Sequence, residues 1–117
     1  DWKRGSGHQL AKEMIREDVT AIFCMNDEMA AGVYDYLYEN GMKAGEDISI
    51  AGYDNMEISG YLKPALTTNE ISFSQIGIKS AELMIKALTD GYETKKGKEI
   101  IKVPCRIIER DSVKRIK

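Results

Sequence analysis

Histidine occurs once in this chain, at His8, and cysteine twice, at Cys24 and Cys105. With no Cys-x-x-Cys pair and no second imidazole, neither a zinc site nor a disulfide framework is specified, and no metal or cofactor is expected. Both thiols read as buried and free. The glycine-rich phosphate-binding patterns are also missing. No apolar run approaches the roughly 20 residues of a membrane span, so no membrane contact is expected, and free buried thiols suit a cytoplasmic protein. A nucleophile set of Cys24, His8 and Asp27 has no local motif to hold it together, because Cys24 lies in an apolar run and His8 opens a different segment. No catalytic residue is therefore assigned, and the chain reads as something other than an enzyme.

What is present is the composition of an ordinary globular domain. The 117 residues suffice for one small domain with a core of its own. Net charge is −2, which hides an asymmetry: Asp1 to Thr94 carries 8 basic and 16 acidic residues, whereas Lys95 to Lys117 carries 9 basic and 3 acidic. The basic tail interleaves its charges with strand-like Ile100, Ile101, Val103, Ile107 and Ile108 and offers no stacking aromatics, which argues against a nucleic-acid surface there.

Read in order, Ser6 with Gln9 forms a capping box for a first helix carrying Leu10, Met14 and Ile15. Ala21 to Met25 is an apolar run read as a buried parallel strand. Asn26 and Asp27 follow as loop and N-cap. Met29, Ala30, Val33, Tyr34 and Leu37 form one helical face, closed by Asn40 and Gly41. A strand from Ile48 to Ala51 completes a β-α-β unit. Met56 to Leu62 reads as a helical turn stopped by Pro64, and Leu66 to Asn69 as a short strand. Ser72 with Gln75 opens a helix to about Thr89, ended by Gly91. Two β-rich pieces, Glu99 to Val103 and Arg106 to Glu109, are split by Pro104.

The stretch around Asp54 organises this order. The strand before it ends at Gly52, so Asp54 falls on the loop beyond the strand's carboxyl end, where open α/β sheets hold ligands. The alternative is a loop aspartate capping the next turn.

Three blocks carry a family resemblance: Thr20-Ala-Ile-Phe-Cys-Met-Asn-Asp-Glu-Met-Ala-Ala-Gly, Ala51-Gly-Tyr-Asp-Asn with Pro64-Ala-Leu-Thr-Thr, and Arg106-Ile-Ile-Glu-Arg-Asp-Ser-Val. In their order and spacing the chain resembles the end of the effector-binding domain of LacI/GalR-family transcriptional regulators. The resemblance implies a three-layer α/β sandwich with a mostly parallel sheet, periplasmic binding protein-like of type I, of which this is the C-terminal portion. It implies that residues 1–65 are mainly the second lobe, 66–103 a segment returning to the first lobe, and 104–117 the final strand and tail. In the family an N-terminal helix-turn-helix binds operator DNA, and nothing here matches it.

By the same resemblance Trp2, Asn26 and Asp54 sit where members touch a small-molecule effector, a sugar or a purine-like ring. An indole face suits a sugar's C–H face, an amide donates and accepts at once, and a carboxylate takes two hydroxyl hydrogens. For Trp2 an ordinary surface or core position and for Asn26 a helix cap remain open. Ala31, Ile58, Tyr61 and Leu62 fall on candidate homodimer surfaces, although they suit internal packing as well. The function implied is the effector-sensing and dimerisation portion of a DNA-binding repressor. The alternative is a periplasmic sugar-binding protein of an ABC transporter, which shares the two-lobed fold. Effector binding by this chain alone is expected to be weak. The returning helix is expected to fold back on the chain or to pair with another copy.

Overall fold

The structure, a computed structural model, describes residues 1–16, 18–89 and 100–115. They fall into two compact units: Asp1–Glu70 with Arg106–Lys117, and Ile71–Cys105. The first unit holds α1 (Arg4–Met14), β1 (Ala21–Phe23), α2 (Asp27–Glu39), β2 (Ser49–Asp54), α3 (Ile58–Tyr61) and β3 (Thr67–Glu70). The second holds α4 (Phe73–Thr89), and β4 (Arg106–Ile108) belongs to the first unit again.

The sheet is open and mostly parallel, in the order β1-β2-β3-β4, with β4 alone antiparallel. Ile22 stands opposite Ile50, Gly52 opposite Thr68, and Thr68 opposite Ile108. Leu66 to Glu70, expected to open a segment returning to the first lobe, therefore lies in the same sheet as β2. The core between sheet and helices is built on Leu37, Ile48, Ile50 and Leu66, all fully buried, with Ala30, Val33, Tyr34 and Cys24 around them. Each large aliphatic side chain buried in this way contributes about 1.5–3 kcal/mol.

Asn26 caps α2 as the sequence suggests, its side-chain oxygen accepting from Met29 N at 2.8 Å. Gly41 ends the helix region with φ 68°, a left-handed conformation that favours glycine. α1 differs from expectation: it starts at Arg4 after an N-cap Lys3 that makes no side-chain cap bond. Ser6 is inside the helix, and its hydroxyl donates to the Asp1 carboxylate, which also accepts from Lys3 N. The helix begins two residues before Ser6, so Ser6 cannot cap it, and no side chain takes that role.

β1 is also not the buried strand expected. It forms an edge among the described strands, and Phe23 and Met25 are exposed, whereas Cys24 between them is buried. Cys105 is exposed, not buried. Ile100 to Cys105 runs without a ladder, so the strand expected from Glu99 to Val103 does not form among the described residues; it finds no partner strand there. Gly91 and Glu99 lie outside the described residues.

α1 and α2 meet through two glycines. A Cβ on Gly7 would strike the Met29 carbonyl, and one on Gly32 the Arg4 carbonyl, so close approach of the two backbones depends on both. Arg4 donates to both carboxylate oxygens of Asp35 at 2.6 Å, and His8 Nε2 lies 2.8 Å from Glu39 Oε2. In α4 no residue is buried: Phe73, Ile78, Met84, Ile85 and Leu88 are all exposed.

Candidate functional site

Three parallel strands end on one side of the sheet, and their carboxyl ends set the site. Strand residues two apart point to the same face, so Phe23 and Met25 fall in line with Ala51 and Tyr53 across the β1–β2 register. Phe23 and Tyr53 meet edge to face, with centroids 6.5 Å apart and planes at 81°. Asn26 opens α2 immediately beyond β1. Its amide donates to the Trp2 carbonyl at 3.0 Å, which holds the indole-bearing residue against the same end of the sheet. The result is a cleft of about 510 Å³ lined by Trp2, Phe23, Met25, Asn26, Tyr53 and Asp54.

The three candidate effector residues are thus brought to one cleft, and each has a definite local role. Trp2 is 61% exposed, its ring free at the rim. Asn26 is the helix cap: its oxygen and one N–H are used for cap and tether, leaving a second N–H and a lone pair. Asp54 is half-buried and has φ 99°, followed by Asn55 at φ 53°. Two successive left-handed residues without glycine cost about 1–3 kcal/mol each, so the surroundings must hold them.

The surroundings do so from below. Asn55 N donates to Thr68 Oγ1 at 3.4 Å, Thr68 Oγ1 donates to Asp27 Oδ1 at 2.6 Å, and Met56 N donates to Asp27 Oδ2 at 2.7 Å. Asn55 Oδ1 accepts from Arg110 at 2.8 Å and its amide donates to Glu70 at 3.0 Å. Arg110 also donates to the Leu66 carbonyl at 2.6 Å and to Ser59 Oγ at 3.0 Å. Ser112 Oγ, fully buried, donates to the Ile50 carbonyl at 2.6 Å and accepts from Thr67 N at 2.8 Å. The residues that carry the family resemblance are the ones that frame this turn.

Burial pushes the Asp27 carboxyl up from the ordinary aspartate range; the Asp54 charge adds to the rise, while bonds from Thr68, Met56 and Tyr53 oppose it. The Cys24 thiol is pushed up to about 12, first by burial and then by Asp27, which makes it a poor nucleophile. His8 is engaged with Glu39 on the α1–α2 pair. Among the described residues no group of three or more His, Cys, Asp or Glu is placed to hold a metal ion.

Phe23, Met25 and Tyr53 complete the cleft beyond the residues expected from sequence. The period-two spacing of Phe23 and Met25 was available as a signal, but only an edge position for β1 turns those side chains into a wall. The candidate dimer residues are divided. Ala31 is fully buried within the chain; Ile58 and Leu62 are half-buried, and Tyr61 is 70% exposed. The basic tail is partly tied down: Arg106 pairs with Glu70 at 2.6 Å, and Lys114 Nζ donates to the Glu46 and Asp47 carbonyls.

A profile of the periplasmic binding protein-like domain matches residues 2–113. The HTH-type transcriptional repressor PurR of Histophilus somni (strain 129Pt) is 37% identical over 112 residues, covering 92% of this chain and 32% of that protein. Its counterpart in Vibrio campbellii is 35% identical over 97 residues, covering 83% and 28%. The chain spans about a third of the length of these curated relatives. Among solved structures, a LacI family transcriptional regulator from Enterococcus faecalis V583 with bound ribose aligns with TM-score 0.87 and 35% identity over 100% of this chain and 43% of that one. The lac repressor dimer bound to operator and the anti-inducer ONPF aligns with TM-score 0.83 and 32% identity, covering 98% and 40%.

Proposed function

The chain belongs to the periplasmic binding protein-like domain family, in the branch carried by LacI/GalR-type regulators, and from that premise we propose that it is the effector-sensing and dimerisation portion of a DNA-binding repressor. The observation that carries the reading is the cleft at the strand ends. Trp2, Phe23 and Tyr53 offer aromatic surface, and Asn26 and Asp54 offer polar groups at its edge. A ligand with an apolar face and a rim of hydroxyl or ring N–H groups satisfies both walls, which describes a sugar or a purine-like ring. The bound ribose in the E. faecalis neighbour supports a sugar.

In this reading the chain is no enzyme. The cleft presents no activated nucleophile, and the buried Cys24 lies behind it. Residues 1–65 serve mainly as the second lobe and 66–103 as the segment returning to the first lobe, a division close to that between the two compact units. Ile58, Tyr61 and Leu62 supply part of a homodimer surface, Tyr61 with the largest exposed area. An effector that fits one lobe arrangement better shifts the protein toward it by no more than its differential affinity, and operator affinity follows. The protein works in the cytoplasm, where operator DNA is.

Reading the coding DNA upstream of Asp1 tests the regulator. A helix-turn-helix followed by a first lobe is expected there; a secretory leader instead would make this a periplasmic solute-binding protein.

A further inference from the structure

Asp27 is fully buried and directly follows Asn26, yet its carboxylate plays no part in capping α2. Its two oxygens take the two backbone amides that follow Asp54: Met56 N directly at 2.7 Å, and Asn55 N through the Thr68 hydroxyl, at 3.4 and 2.6 Å. These are the amides of the turn in which Asp54 and Asn55 hold positive φ. Gly52 makes room for the arrangement, since a Cβ there would strike Asp27 Oδ1 and come within 2.8 Å of Leu66 Cδ2. A chain with this turn and no acceptor beneath it would relax Asp54 toward the β region and withdraw its carboxylate from the cleft.

We propose that Asp27 is the positioning residue of the cleft: it sustains the left-handed Asp54–Asn55 turn from below and so fixes the direction of the Asp54 carboxylate. The proposal rests on the reading of the cleft as an effector site. Of the elements packed against Asp27, β1 is followed by the Cys24 thiol, β2 ends in the Asp54 carboxylate and β3 brings the Thr68 hydroxyl. Cys24 stays neutral through the acid range, so the Asp54 carboxylate is the charged neighbour of Asp27 there. The two carboxylates repel across the turn, and the state of one is felt by the other.

The test is nuclear magnetic resonance on the ligand-free full chain. In the wild type, Asp54 and Asn55 show the strong intraresidue amide-to-Hα Overhauser effect of positive φ, and the Met56 amide proton titrates with a midpoint above that of an ordinary aspartate. Asp27→Ala is expected to lose the Overhauser signature. Thr68→Val is expected to move the Asn55 amide and Thr68→Ser to restore it, and Asp54→Asn to lower the Met56 midpoint. Should Asp27→Ala not fold, the Thr68 pair and Asp54→Asn decide. Left-handed signatures that survive in a folded Asp27→Ala, an Asn55 amide unmoved in Thr68→Val, or a Met56 midpoint indifferent to Asp54→Asn, overturn the proposal. These readouts use no ligand, so they stand even if D-ribose, tested separately on the wild type, fails to bind and the effector reading falls.

Discussion

Cys24 and Cys105 differ in burial, and that difference predicts their chemistry. Iodoacetamide at mild alkaline pH should alkylate the exposed Cys105 rapidly and reach Cys24 only on unfolding, as peptide mass spectrometry would report; fast labelling of native Cys24 would contradict its burial. Arg110 makes three side-chain hydrogen bonds, to Asn55, Ser59 and the Leu66 carbonyl. Arg110→Met should therefore cost about 2–4 kcal/mol in urea unfolding, since bonds to a charged group are worth about 1.5–3 kcal/mol and the partners lose theirs together. The sequence made Trp2, Asn26 and Asp54 legible because the strand–loop grammar and the family blocks both fall on them. It did not make Asp27 legible, because what buries that carboxylate and bonds it is Thr68, 41 residues on, and no local pattern reports such a pairing.

At the scale of elements, the helices were readable from their periodicity and the parallel strands from short apolar runs. The edge status of β1 was not, because an apolar run looks alike whether its strand is covered on both faces or lines a cleft. The capping box at Ser6 does not form because the helix already begins at Arg4, which places Ser6 inside its first turn. The α1–α2 pair gives two predictions. Gly32→Ala puts a methyl against the Arg4 carbonyl and comes within 2.7 Å of His8 N, both backbone atoms that cannot swing aside. Overpacking of about 1–3 kcal/mol should outweigh the roughly 1 kcal/mol gained in helix propensity, giving net destabilisation by thermal or urea unfolding. Asp35 is held below the usual carboxylate range by its hydrogen bonds from Arg4. A depressed folded value stabilises above the unfolded value of about 4 and is lost as pH falls through the folded one. Because both side chains are more than a third exposed, Asp35→Asn should cost less than about 1 kcal/mol at neutral pH, and the difference from wild type should vanish in acid.

For the whole molecule, the exposed apolar side chains of α4 and the cleft of the first unit make separate demands. Phe73, Ile78, Met84, Ile85 and Leu88 are all exposed, so of the two arrangements expected for α4 self-association is the one predicted. Sedimentation should show a mass that rises with concentration, reduced by Ile85→Lys with Leu88→Lys; a monodisperse monomer at all concentrations would contradict this. The cleft is open, with Trp2 61% exposed, so it cannot bury the 70–90% of ligand surface typical of tight sites, and weak binding is the prediction. Saturation-transfer resonance on millimolar D-ribose with the full chain reads such binding directly. Transfer to the sugar's C–H protons is expected, falling sharply in Trp2→Ala and in Asp54→Asn. No transfer to ribose, lactose or adenine, or transfer unchanged in both variants, would contradict the cleft as an effector site.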